Sequence, residues 1–198
     1  MSRPVQVVWF RNDLRISDNP ALYEAAKAGS VLPIYIHDTT CPNEYTLGGA
    51  SKAWLYHSLE SLQESLDGRL NLYEGDAQKV IAKIIKQHTV DHVRWSISYE
   101  PWYRRQEEHV RKILDTHKIP YTTYNGAYLF DPVDVLKDDE TYYKVFTAYK
   151  NKALRIEQRK PFPRPRTLTL VKDKDALHSV SQLTLGVDKE WESILKKY

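Results

Sequence analysis

VQVVWFRNDLRISDNPALYEAAKAG, residues 5–29, decides the fold. Val5 to Phe10 is a run of apolar and β-branched residues closed by Arg11, the composition of a strand buried on both faces. Asp18, Asn19 and Pro20 then supply a capping residue and a proline for the first helical turn, and ALYEAAKAG continues as a helix ending at Gly29. The unit is strand, loop, helix.

The same unit recurs outward along the chain. Val31 to Ile36 is a second strand, followed by a polar loop and a helix from Ala50 to Leu66 with Trp54, Leu55, Leu59, Leu62 and Leu66 on one face. Arg69 to Tyr73 is a third strand, with Gly75 and Asp76 opening the helix AQKVIAKIIKQH. His92 to Ile97 is a fourth, Pro101 opens a helix to about His117, and Pro120 to Tyr124 is a fifth. Regular alternation predicts an α/β fold, a Rossmann-like, doubly wound, five-stranded parallel sheet in the order 3-2-1-4-5. Ligands of such sheets bind outside the carboxyl ends of the strands, which directs attention to Arg11–Arg15, Tyr35–Asp38 and Ser98–Arg105.

After residue 125 the alternation stops. An irregular stretch with one or two short helices leads to Pro161, Pro163 and Pro165, which cannot lie inside a helix or central strand and so mark a linker. The expected division is an α/β domain over residues 1–130 and an irregular, helical and linker extension over 131–198.

Composition narrows the function. The 198 residues hold one cysteine, Cys41, which excludes an internal disulfide and a cysteine-based metal site. No apolar run is long enough for a membrane helix, so no membrane association and a cytoplasmic location are expected. The net charge of +3 is too small to indicate nucleic acid by itself, but basic residues gather between Lys144 and Arg166, where a phosphate backbone or an acidic partner surface could use them. The seven histidines show no HExxH spacing, so no metal is assigned. The turn FRNDLRISDNP lacks the glycines of a dinucleotide site, and no GxxxxGK[ST] loop or GxSxG elbow occurs. Large π systems are abundant, with Tyr99, Trp102 and Tyr103 clustered beside Glu100, Arg104 and Arg105, suited to a planar heteroaromatic ligand.

VVWFRNDLRISDNPAL (7–22) closely resembles the opening signature of the photolyase and cryptochrome family, a strand followed by R-x-D-L-R-x-x-D-N-x-A-L. GGASKAWLYHSLESL (48–62), LYEGD (72–76), SYEPWYRRQ (98–106) and YYKVFTAY (142–149) follow in the family's order, and the final LGVDKEWESILKKY resembles the lead into its helical flavin domain. The resemblance implies the amino-terminal domain of a deoxyribodipyrimidine photolyase, a carbon-carbon lyase that repairs pyrimidine dimers with light. This domain would bind an antenna chromophore (methenyltetrahydrofolate, 8-hydroxy-5-deazaflavin or FMN) and dock to the FAD-binding helical domain, on the same protein or a separately encoded partner. That domain has no counterpart in these residues. FAD and damaged DNA would be engaged only through it, and no catalytic residue is assigned here.

The deazaflavin-type pattern carries over to Tyr35, Ile36 and His37 and to Ser98 and Glu100, with Ser98 standing in place of an aspartate. Ser51 replaces an arginine, with Lys52 beside it to supply the charge. In the folate-type pattern an asparagine and a glutamate fall on Trp102 and Tyr103, and Arg104 adjoins them. By the same resemblance Arg11, Asp13, Arg15 and Asp18 form an ion-pair and capping network facing the helical domain. The alternatives are a cryptochrome-type photoreceptor fragment, which these residues do not separate from a photolyase, and a free-standing nucleotide-binding α/β protein, which would need the missing glycine turn.

Overall fold

Five parallel strands form one sheet in the expected order: β3 (Asn71–Glu74), β2 (Ser30–His37), β1 (Val5–Phe10), β4 (Val90–Ser96) and β5 (Tyr121–Tyr124). The computed structural model describes residues 4–187 and 189–195. Between the strands run α1 (Pro20–Ala28), α2 (Gly49–Ser65), α3 (Ala77–Gln87) and α4 (Pro101–Thr116), and α5 (Phe146–Ala153) and α6 (Lys189–Leu195) follow. β4 starts two residues earlier than the sequence predicts, because Val90 pairs with Val5.

The central strand shows why its residues alternate only in direction and not in polarity. Val7 and Trp9 pack with Leu32, Ile34, Val93, Trp95, Ile81 and Leu114 under α3 and α4, while Val8 and Phe10 pack with Leu22, Leu59, Leu62 and Leu66 under α1 and α2. Both faces are therefore dry, as a parallel sheet covered by crossover helices requires. Asn19 caps α1, its Oδ1 accepting from the Leu22 N–H at 2.9 Å, and Pro20 fills the first helical position. In α2, Leu59, Leu62 and Leu66 are buried as expected, but Trp54 is 68% exposed; Ala53 occupies the inward position instead.

Pro33 lies inside β2, a non-edge strand where its missing N–H would normally break a ladder. The N–H of Val31 goes to Thr169 O at 2.8 Å, so residue 33 faces the same side, in the gap before β3 begins opposite Ile34. The fully buried Asn71 fills that gap, donating to Pro33 O and Val171 O at 3.0 Å each and accepting from Asp173 N–H at 2.7 Å.

Residues 168–185 return to this edge of the sheet. Val31 bridges Leu170, Leu72 bridges Leu177, and Leu183 and Leu185 are buried beneath α2. Asp173 receives the Tyr73 hydroxyl at 2.6 Å and lies 3.4 Å from His88 Nε2. The segment forms no core of its own and adds its apolar residues to that of the α/β unit.

Candidate functional site

The carboxyl ends of the strands carry two different arrangements. Between β1 and β4 a buried polar network closes the crevice. Arg11 is 6% exposed, and its guanidinium lies between the Trp9 and Tyr103 rings, 4.8 and 4.9 Å from their centroids. Its charge is met by Glu107 of α4 at 2.5 Å. Glu107 also accepts from the Ser98 N–H at 3.1 Å and pairs with Arg111 at 3.4 Å. Asp13, 2% exposed, accepts from Ser96 Oγ at 2.5 Å, Asn19 Nδ2 at 3.2 Å and the Arg11 N–H at 3.1 Å. Gly126 approaches Ser96 so closely that a Cβ would collide with its hydroxyl, and Arg15 donates to Gly126 O. Every charge in this plug has a partner, as burial in low dielectric demands.

Over the ends of β1 and β2 a cavity of about 210 Å³ opens between α2 and α4. Aromatic walls come from Trp9, Tyr35, Trp102 and Tyr103, and a wider, more open hollow lined by Ser51 and Trp54 adjoins them. Asp38 borders the cavity but is fully used in tying elements together: one oxygen accepts from Thr40 N–H and Oγ1, the other from the Ala77 N–H at 3.1 Å and Gln106 Nε2 at 2.6 Å. Lys52, also in the wall, has no carboxylate within ion-pair distance among the described residues. It is the group left to receive an anion.

Burial favours the uncharged form of three other groups in the wall, Tyr35, Tyr103 and His37. It pushes the Tyr35 hydroxyl well above the ordinary phenol range, with Tyr103 adding to the shift, and raises Tyr103 as well. Burial also lowers the His37 imidazole, against the pull of the Glu74 and Asp38 carboxylates, so it stays neutral at neutral pH. The arrangement offers stacking surfaces, phenolic donors and two cations, of which Arg11 is paired with Glu107 and Lys52 has no ion pair among the described residues.

Of the residues singled out in the sequence, Tyr35, Ile36, His37, Lys52, Trp102 and Tyr103 line the cavity, and Ser51 lines the adjoining hollow. Ser98, Glu100 and Arg104 line neither. Ser98 is buried against Glu107, Glu100 is the exposed N-cap position of α4, and Arg104 is exposed on that helix. His57 pairs with Glu60 at 3.2 Å, away from both. No local pattern pointed to Cys41, Tyr45, Thr46 and Leu47 from the loop before α2, or to Thr184 and Leu185. Thr184 is fixed at the wall by Glu74, its N–H donating at 2.7 Å. A contact 110 residues apart in sequence leaves no local pattern.

Fold and cleft together define a doubly wound α/β domain with an aromatic-walled cavity at the carboxyl ends of its strands and no glycine-rich phosphate turn. The chain belongs to the DNA photolyase family, whose model matches residues 6–166. It is 34% identical over 147 residues to the deoxyribodipyrimidine photo-lyase of Agrobacterium fabrum, covering 72% of this chain and 30% of that protein. It is 31% identical over 195 residues to cryptochrome-2 of Arabidopsis thaliana, covering 94% of this chain and 31% of the relative. The chain thus spans about a third of the length of these curated relatives. A solved class III photolyase from Agrobacterium tumefaciens superposes with a TM-score of 0.83 at 29% identity, over 93% of this chain and 39% of the other. An archaeal photolyase from Sulfolobus tokodaii, solved with two FAD molecules, shares the fold at 22% identity and a TM-score of 0.73 over 94% of this chain and 41% of that one.

Proposed function

We propose that these residues are the amino-terminal domain of a deoxyribodipyrimidine photolyase acting in the cytoplasm, and that the cavity over β1 and β2 holds its antenna chromophore. The observation that carries this is the pairing of aromatic walls with Lys52, a cation with no ion pair among the described residues, at the sheet end where this fold binds ligands. Tyr35, Tyr103 and Trp102 would flank the ring system, and Lys52 would meet a phosphate or carboxylate. A bound chromophore would supply absorption of near-ultraviolet or blue light and transfer of the excitation to a flavin; the protein's part is to orient it and exclude water. FMN, 8-hydroxy-5-deazaflavin and methenyltetrahydrofolate all combine a planar ring with polar substituents.

The flavin domain of the family is the second partner. Six large apolar side chains between Leu129 and Leu154 (Leu129, Val133, Tyr142, Val145, Phe146 and Leu154) are 58 to 74% exposed, an apolar surface of the kind that domain contacts cover. No described helix is long and apolar enough to cross a membrane.

Absorption spectroscopy of the purified chain, with mass spectrometry of any released ligand, tests the antenna reading. One equivalent of a near-ultraviolet or blue chromophore is expected, retained or taken up on mixing. A colourless protein that binds none of the three would overturn it. The 198 residues alone are expected to give no light-dependent dimer repair.

A further inference from the structure

Charge is unevenly distributed along the chain. Residues 144–166 carry eight basic side chains against Glu157, whereas the rest of the molecule holds 21 basic and 25 acidic residues. Apart from this segment, the protein is therefore net acidic. Six of the eight (Lys144, Lys150, Arg155, Lys160, Arg164 and Arg166) are exposed and form no ion pair among the described residues.

The carboxyl-terminal half of the segment is held in place by a built anchor. Asp18, in the left-handed region at φ 48°, donates its N–H to Phe162 O at 2.8 Å and accepts the Phe162 N–H on its carboxylate at 3.1 Å. The Phe162 ring packs on Tyr23, with centroids 5.2 Å apart, and Arg159 closes the anchor by pairing with Asp18 at 2.5 Å and covering the Phe162 ring. On either side, Pro161, Pro163 and Pro165 fix φ and supply no N–H, which keeps the chain extended. Lys160, Arg164 and Arg166 thus stand on a stiff, anchored strip with no ion pair among the described residues. At about 3.1 Å per residue, the strip from Lys160 to Arg166 is about 19 Å long.

We propose that this strip is a phosphate-backbone contact surface for double-stranded DNA, through which this half of the molecule touches nucleic acid directly, in addition to any contact made by a flavin domain. A row of unpaired, pre-positioned cations matches a regular polyanion, since each duplex strand presents a phosphate about every 3.4 Å along the axis and ordering the strip costs little on binding. The prolines stand two residues apart, which is not the P-x-x-P spacing of a proline-recognition ligand. The choice of DNA among polyanions rests on the photolyase reading. Binding by the strip needs no chromophore, so the two proposals fail separately. Contact with phosphates alone predicts affinity without sequence or lesion preference.

The test is fluorescence anisotropy of the purified chain with an undamaged 20-base-pair duplex, from about 50 to 200 mM salt. The K160Q/R164Q/R166Q variant should lower the magnitude of the log K against log salt slope by about 2.7, at about 0.9 per lost phosphate contact, and weaken binding at low salt by roughly tenfold or more. These side chains are exposed, so unchanged circular dichroism will confirm that the variant folds. A K79Q/K86Q/K112Q variant removes the same charge from exposed positions on α3 and α4 and should leave the slope unchanged. No binding at low salt, equal losses in both variants, or equal affinity for poly-glutamate of matching charge would each overturn the proposal.

Discussion

The two sides of β1 solve opposite problems with similar residues. Toward β4, Arg11, Asp13, Glu107 and Ser96 satisfy one another so completely that no ligand is needed, and Gly126 seals the crevice. Toward β2, Tyr35, Tyr103 and Lys52 stand around open space, with Lys52 unpaired among the described residues. Charge content alone does not mark a binding site; what marks it is a charge the protein leaves unanswered. The crevice between β1 and β4, where doubly wound folds usually bind, is filled by this network, and the cavity opens beside it over β1 and β2, with Arg11 and Gln106 shared between the two.

Three variants press on this contrast, beginning with the largest effect. E107A strands Arg11 and removes the acceptor for Arg111 and the Ser98 N–H, so denaturant unfolding should show a loss of about 3–5 kcal/mol. A loss below about 1 kcal/mol would mean that the plug is not held by this pair. G126A forces Ser96 off Asp13 in a site with no room to relax, at a cost of about 1–3 kcal/mol, read by the same measurement. The cavity side gives the smallest effect. Because burial depresses His37, the unfolded chain takes up a proton there before the folded one does. Stability should therefore fall as pH drops below about 6.5 toward the folded-state pKa, and level off beneath it. H37Q should flatten that part of the wild-type profile in thermal melts between pH 7.5 and 5, and an unchanged slope would remove His37 from the account.

Much of this was legible in the sequence, for stated reasons. VQVVWF and VLPIYI announce buried parallel strands through unbroken apolar runs, and Asn19–Pro20 announces a helix start by its capping chemistry. The parallel, doubly wound character of the sheet followed from alternation and handedness. Tyr35, Ile36, His37, Trp102 and Tyr103 could be placed near the ligand side because they end a strand or open a helix, and Lys52 through the family resemblance. The plug was not legible beyond its outline, since Glu107 pairs with a residue 96 positions away and Gln106 reaches Asp38 across 68. Trp54 misled because helical periodicity says which residues share a face, but a neighbouring Ala53 decides which face goes in. The return of residues 168–185 was hidden by their sparse apolar content, sufficient to join a core though too small to form one.

On the antenna reading the open side of β1, and not the plugged one, takes up a planar anionic chromophore. Equilibrium titration of the purified chain with FMN, 8-hydroxy-5-deazaflavin and methenyltetrahydrofolate, read by chromophore fluorescence, is run on wild type beside K52Q and E100Q. One chromophore per chain is expected, with an increase of about tenfold in Kd for K52Q from loss of a charge-assisted contact and a Kd for E100Q within about twofold of wild type. A wild type that binds none of the three, or equal weakening by the two variants, would refute the assignment.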